Sequence, residues 1–200
     1  MLRLNTGLML VYVVVACWAV FIATWAGGAL YNARYAPRTV GDGTKLGFRW
    51  WQGWMVAAVG VAALQVLVPR TVWAAITFRN EVAADAGLVI LVSSTLFTLW
   101  ARWTLGKMWS PVPTLREHHE LHTNGPYRIT RHPIYTGILG MQLGSALIAG
   151  YGGVLVALLV SSAVFLVRIP REEKLMLKTF GEQYARYQRE VPPLVPFLHL

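Results

Sequence analysis

The apolar residues of this chain gather into five runs with polar stretches between them. The first spans about Leu8 to Leu30, enough to cross a bilayer at about 1.5 Å per residue. A loop from Tyr31 to Arg49 follows, with Arg34, Arg38, Lys45 and Arg49 against the single acid Asp42. The second run, about Trp50 to Val68, stops at Pro69-Arg70. The mixed segment 70–85 carries a short piece, TVWAAITF, suited to the membrane interface. The third run, about Ala86 to Leu105, contains Ser93, Ser94, Thr95 and Thr98, whose hydroxyls can bond back to helix carbonyls or across to a neighbouring helix. The fourth, from Ile134 to Ala149, and the fifth, from Val154 to Ile169, are separated only by Gly150-Tyr151-Gly152-Gly153 and predict a tight hairpin. Gly140 and Gly144 within it form a GxxxG that lets backbones approach. Beyond Pro170, Leu175, Leu177, Phe180, Tyr184 and Tyr187 recur at helical spacing and predict an amphipathic helix to about Glu190. The pattern predicts an all-α integral membrane protein of five transmembrane helices, with a cytoplasmic connecting loop and a C-terminal amphipathic helix. One domain is expected over 1–200: three helices in 1–105, and the polar segment, hairpin and tail in 106–200.

Composition agrees. The chain is 56% hydrophobic and 14% charged, against about 25% charged in soluble domains. The net charge of +9 lies between the apolar runs, where anionic lipid and the positive-inside rule place it, and does not indicate nucleic-acid binding. Cations concentrate in 31–49, 106–133 and the tail, so these face the cytoplasm and the N-terminus lies outside. A bacterial or archaeal cell membrane is the expected location. Cys17 sits alone in an apolar run and gives no redox information.

Candidate chemistry concentrates in LHTNGPYRITRHPIYTGILG, residues 121–140. Asn124, Gly125 and Pro126 predict a turn. Tyr127, Arg128, Arg131, His132 and Tyr135 then bring rings, cations and donors to the mouth of the helix that Pro133 starts. An ordinary basic loop has the same composition. Arg168, Glu172 and Glu173 close the fifth run, where ionisable groups are costly unless paired or wet. Arg168 and Glu172 are i, i+4 neighbours and can simply pair. Two adjacent carboxylates can also recognise a cationic ligand from two directions, or merely solvate a helix start. His118 and His122 have a zinc-compatible spacing, but HExxH is absent and no metal is expected. Neither a P-loop nor GxGxxG is present.

The stretch GPYRITRHPIYTG (125–137), a membrane hairpin, and REEKLMLKTFGEQYARYQREVPPLVPF (171–197) together resemble the isoprenylcysteine carboxyl methyltransferase family, which is related to membrane phospholipid N-methyltransferases. The resemblance covers about residues 105–198. It implies an S-adenosyl-L-methionine site at the cytoplasmic face, built without a Rossmann domain. The family's Gly-Pro-Tyr and Arg-His-Pro signature maps onto Gly125, Pro126, Tyr127, Arg131, His132 and Pro133, and its following Tyr onto Tyr135. Its Arg and Glu-Glu map onto Arg168, Glu172 and Glu173, and its Glu-His-x-Leu onto Glu117, His119 and Leu121. His122 departs from the pattern, replacing an apolar residue.

On that resemblance Arg168 and Glu173 are expected to align the acceptor. His119, Leu121, His122, Gly125, Tyr127, His132, Pro133, Tyr135 and Glu172 are expected at the cofactor. The expected activity is S-adenosylmethionine-dependent methyl transfer to a lipid-tailed or prenylated acceptor entering from the bilayer, favouring carboxyl O-methylation of an isoprenylcysteine-like group. The alternatives are N-methylation of an amine-bearing phospholipid and a non-catalytic membrane scaffold. A sterol reductase using NADPH ranks last, because no cluster dedicated to a 2′-phosphate stands out.

Overall fold

The structure, a computed structural model, describes residues 2–36, 39–40, 55, 59–78, 80–109, 115–116, 120–196 and 198. Helix α1 runs Leu2–Tyr35. Residues 59–67 are helical and form α2. Then come α3 (Arg70–Ala75), α4 (Glu81–Leu105), α5 (Pro133–Ala149), α6 (Gly152–Phe180) and α7 (Glu182–Glu190). Short 3₁₀ turns occupy Gly106–Met108 and Gly125–Arg128. The all-helical expectation holds except for a two-residue antiparallel pairing, Thr39–Val40 with Leu115–Arg116.

Among the described residues three helical stretches are long and apolar enough to cross a membrane: Gly7–Tyr35, Glu81–Met108 and Gly152–Phe180. Five spans were expected; the other two, the second apolar run and α5, are not among these three. Helix α5 has 17 residues and is short for a crossing. Much of the second apolar run lies outside the described residues. The apolar side chains of α1 are largely exposed, Tyr12 at 64% and Leu30 at 68%, a surface that suits lipid and not water.

Two boundaries differ from expectation. Helix α4 starts at Glu81, five residues early, because the Asn80 side chain accepts from Ala83 N at 3.0 Å and caps it. Helix α6 does not stop at Ile169. It passes through Pro170 and absorbs the first half of the tail, ending at Gly181, where φ is +52°. Proline is tolerated in membrane helices whose neighbours satisfy the freed carbonyl. The buried Phe165 and Ile169 just before it pack with Leu194.

The closest helix pairing is α4 with α5. A Cβ on Gly144 would sit 2.6 Å from Gly87 O and from Leu91 N, and one on Gly140 2.1 Å from Ser94 Oγ. Small residues on α5 therefore lie against the hydroxyl-bearing face of α4. The α4 hydroxyls bond back along their own helix, as Thr95 Oγ1 to Leu91 O and Thr98 Oγ1 to Ser94 O, both at 2.7 Å. Gly150, with φ +58°, ends α5, and its carbonyl accepts from Phe78 N at 2.8 Å. Gly150 and Tyr151 alone separate α5 from α6, and the two helices pack together.

Gly144→Ala should lower the thermal midpoint in detergent, by the equivalent of about 1–3 kcal/mol, because the methyl meets backbone. Gly27→Ala should not lower it, since nothing lies within 4 Å of that Cβ and Ala is the better helix former.

Candidate active site

The turn before α5 is built against two neighbours. Gly125 has φ +57°, and a Cβ there would touch Thr104 Oγ1 at 3.4 Å, so the turn rests on the end of α4. Tyr127 is buried, and its carbonyl accepts from Tyr187 OH at 2.6 Å. Burial pushes the phenols of Tyr127, Tyr184 and Tyr187 well above their ordinary range, so all three stay neutral donors.

The C-terminal segment clasps the turn from the other side. Arg131 N donates to Pro192 O at 2.9 Å and His132 N to Pro193 O at 3.0 Å. The Thr130 hydroxyl donates to Pro193 O at 2.8 Å, and the Thr136 hydroxyl to Leu194 O. Prolines suit this place: they offer carbonyls and carry no N–H that would need a partner.

The C-terminal half of α6 carries two ion clusters that meet at His132. Glu172 Oε1 accepts from Arg168 Nε at 2.5 Å and from Tyr135 OH at 2.7 Å, and Glu172 Oε2 lies 3.6 Å from His132 Nδ1. Glu173 Oε1 accepts from Arg131 Nε at 2.7 Å and lies 3.2 Å from His132 Nε2, while its Oε2 accepts from Gln188 Nε2 at 2.9 Å. Arg131 also donates to Gln188 O at 2.8 Å and to Val191 O. The ring of His132 thus stands between the two carboxylates. It stacks parallel to Tyr135, with centroids 5.5 Å apart, and Tyr135 stacks in turn on Phe165 at 4.3 Å.

Of the residues expected at a site, Tyr135, His132, Arg168, Glu172 and Glu173 meet here directly, and Gly125, Tyr127 and Pro133 shape the turn that delivers them. Leu121 packs on the cluster of Tyr184, Tyr187 and Val191 beneath the same turn. His122 is half-buried, and among the described residues its Nε2 is buried without a hydrogen-bond partner. His119, with Glu117 and His118, lies outside the described residues. Glu173, expected beside the acceptor, has both oxygens engaged by the chain itself.

Three participants were not anticipated from the sequence. Gln188 closes the Glu173 cluster, Phe165 supports Tyr135, and Pro192–Leu194 supply the carbonyls that hold the turn. Only Tyr184 and Tyr187, at helical spacing with Phe180, signalled that the tail would pack inward.

Comparison with known proteins gives a consistent result. Residues 82–183 match the family model described as PEMT: Phospholipid methyltransferase. Protein-S-isoprenylcysteine O-methyltransferase B of Arabidopsis thaliana is 33% identical over 119 residues, 58% of this chain and 60% of that protein. The Schizosaccharomyces pombe protein-S-isoprenylcysteine O-methyltransferase is 35% identical over 81 residues, 40% of this chain and 34% of that protein. The chain therefore spans about 60% or less of these relatives' length. Both are eukaryotic, which runs against the expected bacterial or archaeal membrane. The solved structure of the eukaryotic intramembrane Ras methyltransferase ICMT (isoprenylcysteine carboxyl methyltransferase) is similar with a TM-score of 0.53 at 24% identity, over 74% of this chain and 53% of that one, which shows a shared fold. The family match covers just over half of the chain and contains the turn, both carboxylates and Arg168; the chain belongs to the phospholipid methyltransferase family.

Proposed function

We propose that the protein transfers a methyl group from S-adenosylmethionine to the carboxylate of a lipid-tailed acceptor, an S-prenylated cysteine or a closely similar group. The observation that carries this reading is the pair Glu172 and Glu173 in the C-terminal third of a membrane-length helix, with Arg168, His132 and Tyr135 gathered around it. The names of the relatives supply the acceptor class.

The residues present fit the cofactor. Glu172 suits its ammonium group, as a charge-assisted acceptor. The unpartnered buried Nε2 of His122 suits an adenine edge, with Leu121 beside it as apolar packing. His132, Tyr135 and the turn of Gly125, Tyr127 and Pro133 complete the cradle, and His119 belongs to the same assignment. Bound there, S-adenosylmethionine would supply a methyl group already activated on a sulfonium.

The chain's own residues then have a limited task. A carboxylate acceptor is already charged and needs no base, so the protein contributes positioning and electrostatic guidance. Arg168 is a planar fork of donors suited to a carboxylate and is buried on α6 one turn before Glu172. Glu173 acts through others: with Arg131 and Gln188 it fixes the His132 ring. The prenyl tail stays in the bilayer while the head reaches the site. The cations of 106–133 and of the tail favour the cytoplasmic face for the site.

A second reading follows from the family description itself, N-methylation of an amine-bearing phospholipid. The two separate by pH. An amine must lose a proton before attack, so its rate climbs with pH up to the amine pKa, whereas the rate for a carboxylate is flat once that group is ionised. We expect the flat profile above about pH 6.

Calorimetric titration of the detergent-purified chain with S-adenosylmethionine should show saturable binding. Glu172→Ala should weaken it about tenfold or more, a change of about 1.4 kcal/mol. No binding by a folded sample would leave the scaffold reading in its place. Arg168→Ala should cut methyl transfer about 100-fold while cofactor affinity changes far less; equal loss of both would remove Arg168 from the acceptor. Arg131→Ala leaves Glu173 partly buried without its main cation and should cost about 3 kcal/mol. Limited proteolysis should then cut the C-terminal segment faster than in the parent chain.

A further inference from the structure

A second polar site lies at the opposite end of α6. A cavity of about 690 Å³ is lined by Gln65, Arg70, Trp73, Thr77 and Tyr151, where the α5–α6 turn meets α2 and α3. The nineteen residue steps from Gly153 to Glu172 rise about 28 Å at about 1.5 Å each. That is close to the roughly 30 Å hydrocarbon thickness of a bilayer, so this cavity faces the other membrane surface.

Its polar groups divide into two kinds. Gln65, Tyr151 and Thr77 are satisfied within the chain. Gln65 Nε2 donates to Gly153 O at 3.0 Å, Tyr151 OH donates to Gln65 Oε1 at 2.9 Å, and Thr77 Oγ1 donates to Trp73 O at 2.7 Å. Two donors remain. Trp73 is 6% exposed, and its Nε1 is buried with no hydrogen-bond partner among the described residues. Arg70 is exposed and pairs with no described acid. The i, i+3 spacing on α3 puts both on one side of that helix.

A buried N–H without a partner beside an exposed permanent cation calls for acceptor oxygens and disfavours a cationic ligand. An indole N–H buried without an acceptor is costly, and a bound oxyanion would meet it. Next in sequence to Gln65, Val66 and Leu67 are 83% and 77% exposed, apolar surface that suits lipid and not water. We propose that this cavity binds a phosphate oxyanion, carried by the head group of an anionic phospholipid in the leaflet at that surface. The inference rests on the membrane span of α6 and is independent of methyl transfer.

The test uses the full chain in detergent with ¹⁵N-labelled tryptophan, the Trp73 indole resonance being assigned by its loss in Trp73→Phe. Titration with a short-chain phosphatidylglycerol should shift that resonance saturably. Arg70→Gln, an exposed substitution that should leave the thermal midpoint unchanged, should weaken the response about tenfold or more. Much tighter saturation by the lipid than by inorganic phosphate identifies the head group as the ligand. Equal saturation by phosphate keeps the oxyanion site and assigns it to a free anion. An unmoved Trp73 resonance with both ligands, or an undiminished response in Arg70→Gln, overturns the proposal.

Discussion

Two adjacent carboxylates in the C-terminal third of one helix govern the chemistry-bearing half of this protein. Glu172 and Glu173 lie about 100° apart around α6, and both are mostly withdrawn from water, with side chains 16% and 13% exposed. Neither is tolerable there without cations or strong donors. Their partners must arrive from different directions. Arg168 from the preceding turn and Tyr135 from α5 answer Glu172; Arg131 and His132 from the loop, with Gln188 from α7, answer Glu173. Satisfying both forces α5, α6, α7 and the Gly125–Arg128 turn into one assembly, and His132 becomes the bridge between them.

The remaining architecture sets where that assembly stands. Close contact of Gly144 with Gly87 and Leu91 fixes α5 against α4, so the first residue of α5 and the turn before it are held at a definite level of the bundle. Pro192 and Pro193 lock the loop from the outside through their carbonyls. Positioning is most of what the proposed methylation of a carboxylate demands, because its nucleophile is already anionic, and these contacts hold the candidate site in place.

Much of this was legible in the sequence, for physical reasons. Hydropathy exposed the apolar runs, and the Asn-Gly-Pro turn followed by Pro133 announced the start of α5 almost to the residue. Arg168, Glu172 and Glu173 stood out because charges at the end of an apolar run are expensive. Less could be read where tertiary contacts decide. Pro170 suggested a break, yet packing of Phe165 and Ile169 carries α6 to Phe180. Gln188 and Pro192–Leu194 carry no local signal, since an amide on an exposed-looking helix and a proline-rich ending acquire meaning only once Glu173 and the loop meet them. Glu173, expected beside the acceptor, is also engaged by Arg131, His132 and Gln188, which no local pattern ties to it.

The most direct measurement is the identity of the product. The purified chain, reconstituted in lipid with isotopically labelled S-adenosylmethionine and a small S-prenylated cysteine, should yield a carboxyl methyl ester, recognised by its mass and by release of labelled methanol in mild base. A base-stable methylated amine formed on added phosphatidylethanolamine, with the prenylated cysteine unchanged, would contradict the account.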